Sequence, residues 1–463
     1  MRNIGIDDTI VAISTPVGEG GIGIVRLSGP DALVIAGKVF RPKGPVGPAQ
    51  FPTYTTHYGH ICDNDEVIDE VILTVMRAPK SYTKEDVVEI NCHGGLVALK
   101  KVLALLLQEG ACMAEPGEFT KRAFLNGRID LAQAEAVLDV IKAKTDASLR
   151  VAVNQLEGRL SSEVAGLWDR LISLQGHIEA SVDFPEDDCE ILVTAEIEIK
   201  LKEITGEIDR LLSTAEDGII LRDGLLAVIC GKPNVGKSSI MNRLLRQDRS
   251  IVTDLPGTTR DVIEEYLNVD GLPLRIADTA GLAEARDLIE EEGIRRSHIY
   301  TRRADLVLLV LDGSADITPE DESIMGLVKK RPSLIVINKR DLPKKLKIEK
   351  INQIIGKNGS LCEVSAQTGE GIEGLRRAIR EKVWSGEVVS SDNIMVDNIR
   401  HQNCLKIARD RLISAVSSIK GGVSPELIAA DIKSGLDSLG EIIGRKVTDE
   451  VLDNIFSNFC IGK

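Results

Sequence analysis

The sequence predicts a multidomain α/β protein: an N-terminal α+β segment, then a discontinuous α-helical domain with an α/β block inserted into it. Three observations lead there. Near-continuous apolar runs at Leu225–Cys230, Leu306–Asp312 and Leu334–Asn338 have the texture of a parallel sheet covered on both faces. Leu131, Ala134, Leu138 and Ile141 fall at helical spacing, and glycine and proline stay sparse to about residue 215. Helical texture returns after about residue 384, best at Leu405–Ile419 and Pro425–Ile443.

Taken in order, Gly21–Leu27, Val71–Met76 and Val87–Asn91 read as strands punctuated by glycine or proline, and Leu96–Gln108 reads as an apolar helix. Asp183-Phe184-Pro185-Glu186-Asp187-Asp188 reads as an acidic loop interrupting the first helical stretch. The expected boundaries are 1–118 for the N-terminal domain, 119–222 for the first helical part, 223–383 for the α/β block and 384–463 for the second helical part. Insertion is tolerated where the termini of the inserted block lie together on the surface. The plainer alternative is two separate helical domains.

A chain of 463 residues is long for one domain. Its 43 % hydrophobic and 28 % charged content is that of a globular protein, and a net charge of −14 argues against a general basic coat for nucleic acid. A local basic pocket remains compatible. The eight cysteines are scattered without a CxxC pair, which favours reduced thiols over a disulfide scaffold or zinc ribbon. The N-terminus carries Arg2, Asp7 and Asp8 without a long apolar stretch, and no apolar run approaches the ~20 residues a membrane span needs. The expectation is a soluble, cytoplasmic chain with no membrane partner.

The α/β block carries the chemistry. Gly231-Lys232-Pro233-Asn234-Val235-Gly236-Lys237-Ser238 matches G-x-x-x-x-G-K-[ST], after an apolar strand and before the helix Ser239–Leu245. Glycines let backbone N–H groups face phosphates, and the helix N-terminus adds its positive end. Lys237 is suited to the β- and γ-phosphates and Ser238 to Mg²⁺. That pattern alone means a P-loop NTPase.

Guanine specificity needs more, and three further motifs follow at strand ends. Asp278-Thr279-Ala280-Gly281 follows Leu274–Ala277; its carboxylate can reach Mg²⁺ through water while the Gly281 N–H senses a γ-phosphate. Asn338-Lys339-Arg340-Asp341 supplies a carboxylate for the two N–H groups on the guanine edge. Ser365-Ala366-Gln367 supplies backbone for the guanine oxygen. In order, the four motifs match the small-GTPase pattern, so GTP is the expected nucleotide. Ser239, beside the P-loop, is grouped with this site.

Thr253–Asp261 reads as a switch loop whose threonine ligates Mg²⁺ only with the γ-phosphate present, Thr259 being the better candidate, or as a plain turn. Ras-like enzymes place a water-orienting glutamine after the DxxG, where this chain has Leu282. Glu290, Glu291 and Glu292 follow, either as a solvated face or as the source of a replacement.

At this point the chain resembles the MnmE/TrmE family of tRNA-modifying GTPases. The resemblance rests on the Thr253–Asp261 loop, the apolar residue after DTAG, the Pro116–Ala136 stretch PGEFTKRAFLNGRIDLAQAEA and the terminal Phe459-Cys460-Ile461-Gly462-Lys463. It implies an N-terminal folate-binding and dimerisation domain, a discontinuous helical domain and an inserted Ras-like P-loop GTPase domain. It implies a K⁺-dependent GTPase that works with a flavoprotein partner, MnmG. Together they place an aminomethyl or carboxymethylaminomethyl group on C5 of the tRNA wobble uridine. A tetrahydrofolate derivative such as 5-formyltetrahydrofolate is associated with the one-carbon unit.

Residue by residue, the resemblance implies K⁺ ligation by Asn234, Thr253, Leu255 and Thr258, and water orientation by Glu290. It implies folate contacts by Arg26, Glu89, Arg128 and Lys463, with Arg128 standing where some members carry lysine. Cys460 reads either as inert core or as a catalytic thiol. His93, beside Gly94-Gly95, reads as structural or pocket-lining. Outside this reading stand a GTP-switched ribosome-assembly factor, which usually carries a basic RNA-binding appendage, and a GTP-driven dimerising scaffold.

Overall fold

The computed structural model describes residues 8–16, 18–183, 194–247, 264–278, 304–329, 331–355, 360–383 and 394–463. Contacts divide the chain into two compact units. One comprises Met1–Leu138, Gln155–Val193 and Ser417–Lys463; the other comprises Asp139–Asn154 and Thr194–Val416. No described helix is long and apolar enough to cross a membrane.

The first unit is built on a seven-stranded sheet of β1 (Ile10–Ile13), β2 (Gly23–Ser28), β3 (Phe40–Pro42), β4 (Thr55–Asp63), β5 (Glu66–Met76), β6 (Val87–Cys92) and β7 (Cys112–Met113), in the order β3-β4-β5-β6-β2-β1-β7. All neighbours are antiparallel except β1 and β7. Alternation sends Val25, Leu27, Leu73, Val75, Val88 and Ile90 to one face. There they pack against α1 (Ala32–Val39) and α2 (Leu96–Gln108), whose Leu33, Ile35, Leu99 and Leu106 are buried. The opposite face keeps polar and charged residues, Arg26, Glu89 and Asn91 among them.

Helices α3 (Glu118–Leu125), most of α4 (Leu131–Lys142) and α6 (Arg159–Asp183) follow in this unit, while nearly all of α5 (Asp146–Leu156) belongs to the second. Asp183, expected in the acidic loop, closes α6, and residues 184–188 of that loop lie outside the described residues. The last segment of this unit contributes α14 (Pro425–Ile443), which packs along α6, and α15 (Asp449–Ser457) against α3. Phe456 and Phe459 join Leu131, Ala134 and Leu138 in a small core there.

The second unit holds α7 (Thr194–Ser213), α8 (Ala215–Asp223) and most of α13 (Ile399–Lys420) beside a six-stranded sheet. Its strands are β8 (Leu225–Cys230), β9 (Glu264–Val269), β10 (Leu272–Asp278), β11 (Leu306–Asp312), β12 (Ser333–Asn338) and β13 (Ser360–Glu363), in the order β13-β12-β11-β8-β10-β9. Only β9 runs antiparallel to its neighbour. The near-continuous apolar strands are explained by two cores. Leu225, Ala227 and Ile229 face α9 (Lys237–Gln247) and α12 (Ile372–Val383), while Leu226, Val228 and Cys230 face α10 (Pro319–Val328) and α11 (Ile348–Ile355). The chain leaves β8 for β10 on one side and returns to β11 on the other, so the order reverses at β8. In open α/β sheets ligands bind at the carboxyl ends of the strands beside such a reversal.

Candidate functional site

Three of the four expected nucleotide motifs converge at that carboxyl edge. β8 ends at buried Cys230, whose thiol burial pushes up to about 12. The chain then turns through Gly231 at φ 145°, where a Cβ would run into the Val310 carbonyl oxygen. Asn234 at φ 64° and Gly236 at φ 95° flank Val235, whose side chain is buried and anchors the loop. Alternating left-handed residues turn successive N–H groups towards one point, which makes an anion cradle. Lys237 opens α9 and folds its ammonium back over the loop, donating to the carbonyl oxygens of Gly231 and Lys232, each at 2.9 Å. Ser238 and Ser239 occupy the same first turn.

Asn338 closes β12 and is almost wholly buried. Its Nδ2 donates to the Val235 carbonyl oxygen at 2.8 Å, and its Oδ1 accepts from the Ala366 N–H at 3.0 Å. One side chain thereby joins the P-loop to Ser365-Ala366-Gln367. Gly236 is required twice over, by its φ and because a Cβ would meet Asn338 Nδ2. The Ser365 hydroxyl donates to Asp341 Oδ1 at 2.5 Å and accepts from the Thr368 N–H at 3.1 Å, so the Asp341 carboxylate is held from outside. Gln367 offers its carbonyl to Arg243 at 2.8 Å.

Lys339 takes φ 66° and donates to Asp312 Oδ2 at 2.6 Å. Burial raises the Asp312 carboxyl, but hydrogen bonds from Lys339 and Ser314 outweigh it and hold the group below the usual carboxylate range. On the P-loop side, Lys232 pairs with Asp321 at 2.8 Å.

Asp278 ends β10 opposite Ile229 of β8, at the same edge. Thr253, Leu255, Thr258, Thr259, Thr279, Ala280, Gly281, Leu282 and Glu290, expected in the switch and hydrolytic roles, lie outside the described residues.

The first unit forms a second cluster. Arg26 on β2 stands opposite Glu89 on β6. Its Nε and Nη2 each reach Glu89 Oε1 at 2.8 Å, and Nη1 donates to the Gly462 carbonyl oxygen at 3.1 Å. The guanidinium lies 5.7 Å from the centre of the Phe119 ring. Lys463 is drawn in alongside: burial first, then Arg26, lowers its ammonium below the ordinary lysine value, while Glu89 and Cys460 oppose the shift. Arg128 covers the Tyr82 ring at 4.7 Å, and the Tyr82 hydroxyl bonds to Thr120 Oγ1 at 2.9 Å. Burial raises the Tyr82 phenol against the opposing pull of Thr120, Arg128 and Arg26.

The tail is tied to the sheet. Ile461 bridges Pro116, and Gly462, at φ 94°, sits where a Cβ would lie 2.6 Å from the Ile13 carbonyl oxygen. The Cys460 side chain is exposed, while its carbonyl accepts from Gly117 N–H at 3.4 Å. It is therefore not a core residue. His93 is exposed too, with Nδ1 2.6 Å from Asp69 Oδ1 and its backbone N–H donating to Asp69 Oδ2 at 2.8 Å.

Sequence reasoning missed Phe119, Tyr82, Gly462, Asp312 and Asp321. With only 3 % aromatic residues in the chain, rings close to expected charged contacts were the available signal for the first two. Asp321 completes a capping box with Thr318, a spacing visible as Thr318-Pro319-Glu320-Asp321.

Residues 131–460 match the family model described as the MnmE helical domain, and residues 9–128 match the GTP-binding protein TrmE N-terminus. The tRNA modification GTPase MnmE of Desulforamulus reducens is 49 % identical over 99 % of this chain and 100 % of the relative. That of Carboxydothermus hydrogenoformans is also 49 % identical, over 99 % and 100 %. That of Geobacillus kaustophilus is 47 % identical over 98 % and 99 %.

Proposed function

The chain belongs to the MnmE/TrmE family of tRNA modification GTPases, and on that premise we propose a K⁺-dependent GTP hydrolase that works with a flavoprotein partner, MnmG. The pair would add an aminomethyl or carboxymethylaminomethyl group to C5 of the tRNA wobble uridine. Membership itself makes the chain a GTP hydrolase acting in tRNA modification. Relatives matched along their whole length carry that name, so the ribosome-assembly reading gains no support.

The observation that carries the nucleotide assignment is the Asn338 bridge between the phosphate loop and the Ser365–Gln367 loop. The residues fit the ligand: an anion cradle, an ammonium folded over it and a carboxylate held at the base loop. GTP would be bound by Asn234, Val235, Gly236, Lys237, Ser238 and Ser239, with Asn338, Lys339, Asp341, Ser365, Ala366 and Gln367 at the base. Asp278–Gly281 and Thr253–Thr259 complete the proposed site. Ser238 and Thr259 are assigned to Mg²⁺, and Asn234, Thr253, Leu255 and Thr258 to K⁺. When bound there, K⁺ supplies positive charge where other GTPases insert an arginine. Glu290 orients the attacking water.

The first-unit cluster fits a tetrahydrofolate. A guanidinium–carboxylate pair offers donors and acceptors to a pterin edge, and a half-buried ammonium, depressed by its burial and then by neighbouring Arg26, is relieved by an anion. Arg26, Glu89, Arg128 and Lys463 are assigned to it, and it would supply the one-carbon unit. The reading includes a homodimer formed through this domain, a cytoplasmic location and the partition 1–118, 119–222, 223–383 and 384–463.

Two measurements test the proposal. Total tRNA from a strain lacking the gene should lose the modified wobble nucleoside by mass spectrometry, and an unchanged nucleoside profile would refute the role. GTP turnover should be faster in K⁺ than in Na⁺ at matched ionic strength, and equal rates would remove the K⁺ assignment.

A further inference from the structure

The segment from Asp312 to Asp321, between β11 and α10, carries none of the four nucleotide motifs, yet it touches two of them. At one end, Asp312 is fixed by the Ser314 N–H at 2.9 Å and the Ser314 hydroxyl at 2.6 Å, and it receives the Lys339 ammonium. Gly313 N–H donates to the Asn338 carbonyl oxygen at 2.8 Å, and the Gly313 carbonyl accepts from Lys345 N–H at 3.0 Å. The base-reading turn is therefore stitched to this segment on both of its flanks.

At the other end, Asp321 is buried to 3 % exposure at the start of α10. Its Oδ2 accepts from the Thr318 N–H at 3.0 Å, the Thr318 hydroxyl at 2.8 Å and the Lys232 ammonium at 2.8 Å. Lys232 belongs to the phosphate loop, and its own carbonyl oxygen receives the Lys237 ammonium. A line of charge-assisted contacts thus runs from Asp321 through Lys232 to the phosphate-facing lysine. Such contacts are shorter and more directional than neutral ones, and a buried carboxylate held by a helix cap has few alternative positions.

We propose that Asp312 and Asp321 are positioning residues that strap the base-reading turn and the phosphate loop to one rigid segment, and so set the residence time of the bound guanine nucleotide. Neither belongs to the four nucleotide motifs. Asp321 acts through Lys232, and Asp312 acts through Lys339, whose left-handed backbone needs an external hold. The proposal rests on the reading of this edge as a guanine-nucleotide site.

The test is stopped-flow dissociation of a fluorescent GDP analogue from the full chain, run as double-mutant cycles. Lys232→Ala and Asp321→Ala should each speed dissociation at least tenfold, and the double variant should be no faster than either. Lys232→Arg, which keeps charge and reach, should restore the rate to within about threefold. Asp312→Ala and Lys339→Ala should be non-additive in the same way. Unchanged rates in the single variants, or rates that multiply in the doubles, would overturn the strap. Should Asp321→Ala fail to fold for loss of its cap, the contrast between Lys232→Ala and Lys232→Arg decides alone, and equal rates there refute the proposal. Urea midpoints of the nucleotide-free chain separate this from a purely structural role, which would move them and leave dissociation unchanged. Failure of the unaltered chain to bind the GDP analogue would instead overturn the nucleotide-site reading.

Discussion

Asn338 Nδ2 lies 2.8 Å from the carbonyl oxygen of Val235, so a residue of the Asn338–Asp341 motif is a structural member of the Gly231–Ser238 loop. Asn338→Asp would set a carboxylate oxygen against that carbonyl and lose a buried donor, at a cost of about 3 kcal/mol. The expected outcome is about a hundredfold weaker GDP binding by calorimetry. A drop in melting temperature should accompany it, because two loops are released together.

In the first unit, Glu89 pairs with Arg26 and also pulls the Lys463 ammonium upward against its burial. Glu89→Gln keeps the shape and removes the charge that raises the Lys463 ammonium. Binding of 5-formyltetrahydrofolate, followed by fluorescence titration, should weaken on the order of tenfold or more, since a pterin would lose its charged acceptor.

The tail hinges on Gly462. Gly462→Ala forces a side chain into a left-handed backbone position and against the Ile13 carbonyl, which should cost about 1–3 kcal/mol and lift the tail from Arg26. Hydrogen exchange should show the loss of protection at Arg26 and at residues 461–463, together with weaker folate binding.

His93 gives a pH prediction. Its hydrogen bond to Asp69, reinforced by the Coulombic attraction, raises the imidazole above its ordinary value against slight desolvation. The raised value in the folded chain means that the pair's contribution is complete below the unfolded pKa of about 6.5 and fades as pH rises through the folded value. NMR titration should place the His93 midpoint above 6.5, and Asp69→Asn should bring it down towards the ordinary value.

The α/β unit was readable because its signals are local. Each buried strand is a continuous apolar word, and the P-loop names its own flanks: the expected helix Ser239–Leu245 lengthens only to Lys237–Gln247. The first unit was harder. Strand β4 went unread, and of β5 only Val71–Met76 was anticipated out of Glu66–Met76. One face of that hairpin meets solvent, where Tyr58 and Ile72 stand exposed and blur the alternation. Contacts such as Asn338 to Val235 link residues 103 apart, a proximity that only the folded sheet creates. Lys232 and Asp321 were likewise visible as charges but not as a pair.

The contact between Arg26 and Gly462 spans 436 positions of the chain, and everything in the second unit is made between its two ends. During synthesis at ~5–20 residues per second, Arg26 would emerge about 20 to 90 seconds before its carbonyl partner exists. The exposed sheet face around it must wait that long, unfinished, while an independent unit folds in between. Chaperone occupancy on nascent chains stalled before and after residue 463 would report that interval. A ribosome pause or premature stop late in the message would therefore yield chains with a fully made nucleotide fold and an open first-unit cluster.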